Sequence, residues 1–143
     1  KSHPLMFKDH AVFVLRDGQK VLFVQRSKNK KTLPNIWAFP SGTVEEREKP
    51  EETARREAKE ELDVEIKVVG TLATVELSEF PVRLHFIIGT IKSGELKIKQ
   101  PEEIQALCWL TFQDFFAKYT DDQIGHGLIW LRKNPKVWQP QFS

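Results

Sequence analysis

The chain has little with which to staple or anchor itself. Its 143 residues include a single cysteine, Cys108, which excludes an internal disulfide and makes a reducing compartment the natural setting. No apolar run approaches the ~20 residues of a membrane-spanning helix, and the opening KSHPLMFKDH lacks the apolar stretch of a secretion signal. A cytoplasmic protein with no membrane partner is therefore expected. Internal repeats, low-complexity tracts and Pro/Gly/Ser-rich linkers are missing too, so residues 1–143 read as one continuous domain. Excess charge is also lacking: a net +2 gives no ground for expecting nucleic acid as a partner.

What is present is apolar material for one core: 40% apolar residues, with ten Phe and four Trp. AVFVL and VLFVQ are strand-like runs on either side of Asp17-Gly18, a strong hairpin signal. RSKNKKTLPNIWAFPSG follows as a loop. Helix signals then coincide, because Pro50 suits a first helical position, Glu51 and Glu52 put negative charge in the first turn, and ETARREAKEEL consists of good helix formers. A helix over about Pro50–Leu62 is predicted. VEIKVVGTLATVEL, VRLHFIIGTI, LKIKQ and IQALCWL read as strands, FQDFFAKY as a helix opened by Thr111, and DQIGHGLIWLRKN as a last helix stopped by Pro135. The order of elements implies an α/β (α+β) fold, a mixed sheet covered by helices on both faces. Alternation along IQALCWL predicts Cys108 as a small buried residue, and Trp130 and Trp138 are expected as exposed tail aromatics that mark a homodimer surface or cover the sheet.

The distribution of charge is the more telling feature. From Glu45 to Glu61, eight glutamates stand against five Lys or Arg, a local −3 that leaves +5 for the rest of the chain. On a helix Glu57, Glu60 and Glu61 share an edge about 100° wide beside the small residues Ala54 and Ala58. Three acids at a half-buried rim raise one another's pKa. They form either a solvated face laced by pairs such as Arg56 with Glu60 or a site for a hard divalent cation with oxygen ligands.

Spacing separates these alternatives. Gly42, Glu48, Arg56, Glu57, Ala58, Glu60, Glu61 and Val64 fit the pattern G-x5-E-x7-R-E-U-x-E-E-x-G-U, where U is aliphatic. The segment resembles the signature box of the Nudix (MutT-like) hydrolases, with Asp63 in the place of a glycine. An Asp tolerates the left-handed backbone of a helix end better than most residues. LPNIWAFPSGTVE resembles the family's lead-in to the box, with Ser41 in place of the first Gly of a pair. The looser likeness extends over residues 9 to 133.

That resemblance implies a Nudix-type sheet sandwiched between helices and a hydrolase acting on a nucleoside diphosphate linked to X. The substrate is left open between a nucleoside triphosphate and a nucleotide sugar such as ADP-ribose, and a non-catalytic nucleotide sensor is the alternative. Glu57, Glu60 and Glu61, with the Gly42 carbonyl, are the implied ligands of Mg²⁺ or Mn²⁺. Arg56 is implied to orient Glu48, and the general base is left between Glu61 and a loop acid, Glu102 or Glu103. Arg26 and the lysines that follow suit either phosphate contact or solvation, while Trp37 and Phe39 suit either base stacking or core packing. His85 and His126 have no ligand spacing and are assigned no chemistry.

Overall fold

The computed structural model describes residues 6–142; the first part of the opening segment weighed above as a secretion signal lies outside them. Strands β1 (Lys8–Asp17) and β2 (Lys20–Arg26) form the expected hairpin. Gly18 takes φ +62 at the first of the two loop positions, where a II′ turn calls for glycine. Two short strands follow, β3 (Trp37–Ala38) and β4 (Ser41–Thr43), and then helix α1 (Pro50–Leu62), with the predicted bounds. The long antiparallel pair β5 (Glu65–Leu77) and β6 (Val82–Ser93) precedes β7 (Ile104–Thr111) and helices α2 (Phe112–Lys118), α3 (His126–Lys133) and α4 (Gln139–Phe142).

The sheet runs β3-β2-β1-β6-β5, with β4 added to β1 and β7 to β2. Only β1 and β6 pair in parallel among the named strands, so the sheet is mixed. Because side chains alternate along a strand, β1 divides its residues between two cores. Ala11, Phe13 and Leu15 lie under Ala54, Ala58 and Leu62 of α1, while Val12 and Val14 join Phe112, Phe115, Leu128 and Leu131 from α2 and α3. Burial on both faces explains the near-continuous apolar character of β1 and β6.

Four expectations need correction. LKIKQ is no strand: Leu96 and Ile98 pack on the α1 core, and the N–H groups of Lys97 and Lys99 donate to the carbonyls of Leu62 and Glu61 at 3.0 Å each. The partner is the end of a helix, whose last carbonyls have none of their own. The helix expected as the last begins only at His126, because Asp121–Gln123 form a separate 3-10 turn and Gly125 stands at the cap, and α4 follows it. Cys108 is partly exposed; among the described residues β7 borders β2 alone. Trp138 is buried, its Nε1–H donating to the Leu131 carbonyl at 2.9 Å.

Candidate active site

Helix α1 is fixed at both ends by its own sequence. At the start, Pro50 fills the first helical position, and a Glu52 carboxylate oxygen accepts the Lys49 N–H at 2.8 Å. At the finish, Asp63 adopts the left-handed conformation (φ 60, ψ 34) that the signature assigns to glycine. Its N–H reaches the Lys59 carbonyl at 3.2 Å, and the Val64 N–H reaches that of Ala58 at 3.4 Å, which closes the helix. The register of Arg56, Glu57, Glu60 and Glu61 is thus set from both sides.

Arg56 organises the acids around it. Its Nε and Nη2 donate to the two oxygens of Glu48 at 2.8 and 3.0 Å, a bidentate charge-assisted pair. Nη2 also reaches the Thr43 carbonyl at 3.3 Å, and Nη1 stands 3.4 Å from both Glu57 Oε2 and Glu60 Oε2. Glu48 further accepts the buried Thr53 hydroxyl at 2.6 Å. The bonds from Arg56 and then Thr53 hold its carboxyl down at about 2, and the same pairing pushes the Arg56 guanidinium up.

Glu61 is the opposite case. Only 9% exposed, it has its carboxyl pushed up to about 9, first by burial and then by a hydrogen bond with Glu57 and the charges of Glu57, Glu103 and Glu60. Glu57 lies across Gly42: a Cβ at Gly42 would stand 2.3 Å from its Cγ and Oε2, so the close approach needs glycine. Glu103, on the turn before β7, is held by Lys30 Nζ at 2.8 Å.

Gly42, Glu48, Arg56, Glu57, Glu60, Glu61 and Glu103 are therefore gathered in one region. Among the described residues no three His, Cys, Asp or Glu side chains already converge on one point as a metal cage would; Arg56 draws the ends of Glu57 and Glu60 toward itself. The donor chemistry nevertheless fits a hard divalent cation, since every donor is oxygen. Mutual repulsion at Glu61 is what such a cation would relieve.

The remaining candidates lie elsewhere. Arg26 donates through Nε to the Leu33 carbonyl at 3.0 Å and through Nη2 to that of Thr32 at 2.8 Å, and so folds the loop after β2. Phe39 is buried and stacks on Phe23 with centroids 5.3 Å apart, and Trp37 rests on Tyr119 at 5.6 Å. Two features had no sequence signal. One is a network in which Asp9 Oδ1 meets His85 Nε2 at 2.8 Å and Arg83 Nη1 at 3.1 Å, which joins residues 74 or more positions apart. The other is a cavity of about 750 Å³ on the α3 face of β1 and β6, between Leu33, Leu77, Leu84 and Leu128.

Comparisons with known proteins bear on the family and the fold. Residues 6–130 match the family profile described as NUDIX domain. The chain is 28% identical over 128 residues to an uncharacterized Nudix hydrolase, YfcD, of Escherichia coli K12, covering 86% of this chain and 71% of that one. It is 31% identical over 117 residues to a Nudix hydrolase of Deinococcus radiodurans, covering 79% and 68%. Among solved structures, the MutT protein of Methanosarcina mazei superposes with a TM-score of 0.72 at 16% identity, over 94% of this chain and 97% of that one, which shows the shared fold. With the signature helix, the mixed sheet and the profile match in agreement, the chain belongs to the Nudix hydrolase family.

Proposed function

We propose that the protein is a metal-dependent pyrophosphohydrolase that cleaves a nucleoside diphosphate linked to a group X, a nucleoside triphosphate or a nucleotide sugar such as ADP-ribose, by attack of water on a phosphorus. One observation carries the reading: Glu61 is a buried carboxyl group surrounded by further carboxylates, with Gly42 left open to Glu57 beside it. A buried carboxyl with no cation beside it is costly, and a purely structural position would be better filled by an apolar residue.

Glu57, Glu60 and Glu61, with the Gly42 carbonyl, would hold Mg²⁺ or Mn²⁺. When bound, the ion supplies neutralisation of phosphate charge and a lower pKa for water. The chain's own residues do the rest. Glu48 fixes the plane of the Arg56 guanidinium, and Arg56 positions Glu57 and Glu60. Glu103 is close enough to act on Glu61 and is steadied by Lys30, which suits it, alongside Glu61, to accept the proton of the attacking water.

The test is product analysis on nucleoside triphosphates, ADP-ribose and dinucleoside polyphosphates, with and without Mg²⁺. Metal-dependent release of a mononucleotide with pyrophosphate, or with the phosphorylated X, is the expected result. Nucleotide binding without turnover of any member would overturn the enzymatic reading and leave a sensor in its place.

A further inference from the structure

The α3-face cavity lies one residue from the acidic site. Ser41 lines it, as does Val12, its partner on β1, whereas the next residue, Gly42, lies against Glu57. Consecutive Cα atoms are about 3.8 Å apart, and among the described residues β4 pairs with no strand except β1. A ligand can therefore pass around this edge from one face to the other. The loop after β2 makes a second link, because Lys30 holds Glu103 while Thr32 and Leu33 line the cavity.

The lining has an unusual chemistry for a nucleotide site. Leu33, Leu77, Val82, Leu84 and Leu128 supply its walls, and among the described residues no Asp, Glu, Asn, Gln or Lys lines it. Lys, Asn and Gln, with Arg, make paired hydrogen bonds to base edges, and Asp and Glu accept from them; the polar side chains in the lining are His10, Thr32, Ser41 and His126 beside Arg26. The one Arg present, Arg26, has its Nε and Nη2 engaged by loop carbonyls. His10 also lines it, and burial lowers its pKa. At the rim the Phe80 and His126 rings stack at 4.2 Å.

On the reading that the glutamate site hydrolyses a diphosphate, we infer that the group X seated in this cavity is apolar, so that the preferred substrate is a nucleoside diphosphate esterified to an apolar alcohol. The charged diphosphate belongs to the acidic face, and the uncharged tail of X turns around β4 into the cavity. Hydrolysis adds water across the P–O–P bond and releases a nucleoside monophosphate and the monophosphate of the alcohol, with no redox partner required.

The test uses ADP esters of methyl, butyl and octyl alcohols, compared with ADP-ribose and ATP, in the presence of Mg²⁺. The expected result is a kcat/KM that rises about threefold to fourfold per added methylene until the cavity is filled, and a flattened dependence on chain length in Leu84→Gln. Turnover of ADP-ribose or ATP that equals or exceeds that of the octyl ester would overturn the inference and leave the hydrolase reading intact. If no compound is turned over, the hydrolase reading fails and calorimetric binding decides the cavity. Tighter binding of the octyl than the methyl ester, weakened in Leu84→Gln, would then sustain the apolar site; equal binding would sink it.

Discussion

Arg56 grips both carboxylate oxygens of Glu48, at 2.8 and 3.0 Å, from a position eight residues along the chain. The pair ties the loop before α1 to the helix and leaves Nη1 directed at Glu57 and Glu60.

Replacing Arg56 by Lys keeps the charge and removes the planar fork. Loss of the charge-assisted bonds should destabilise the fold by about 1.5–3 kcal/mol and lower kcat more than it raises KM. Glu48 also fixes the sign in acid. Its folded pKa, about 2, is depressed, so its contribution is present above the unfolded value near 4.5 and is lost as pH falls through 2. Arg56→Lys should therefore unfold at a higher pH than the parent in an acid titration followed by circular dichroism. Coincident acid transitions would refute this role.

Glu61 gives the reverse dependence. With its folded pKa raised to about 9, the contribution of the neutral carboxyl is fully present below about 4.5 and is lost as pH rises toward 9. In metal-free protein, Glu61→Gln should raise Tm by several degrees at pH 8 and change it little at pH 4, while turnover with Mg²⁺ collapses. A Tm difference that is the same at both pH values would show that Glu61 is not held neutral by the fold.

Gly42→Ala is a steric probe of the site. The added methyl meets Glu57 at 2.3 Å, and the flexible side chain must swing away. Activity should fall at least tenfold while urea unfolding moves by less than about 2 kcal/mol. Full activity would mean that Glu57 does not work from the position seen here.

Gly94 is a structural counterpart, set against the end of α1. It has φ +94, and a Cβ there would stand 2.8 Å from the Asp63 carbonyl. Gly94→Ala should lose about 1–3 kcal/mol by prising the chain after β6 from the end of α1, as read by thermal unfolding. An unchanged Tm would show that this contact can relax freely.

Legibility in the sequence followed the range of the interactions. Helix α1 was readable because Pro50, its first-turn acids and the spacing of Arg56 to Glu61 act within a few turns, and Asp63 ends it by local backbone geometry. Strands were readable where alternation decided burial. The same alternation misled at LKIKQ, where Leu96 and Ile98 are held by a helix end rather than by a strand. The cavity left no trace, since Val12, Leu84 and Leu128 look like any core residues until three distant elements fold around a space.

The two-sided use of β1 has an evolutionary consequence. Ala11 and Phe13 support the acidic helix, while His10 and Val12, their immediate neighbours, face the cavity. Selection can therefore rewrite His10 and Val12 to reshape the cavity while Ala11 and Phe13 keep the helix seated. A single strand lets recognition diverge within a lineage whose chemistry stays the same.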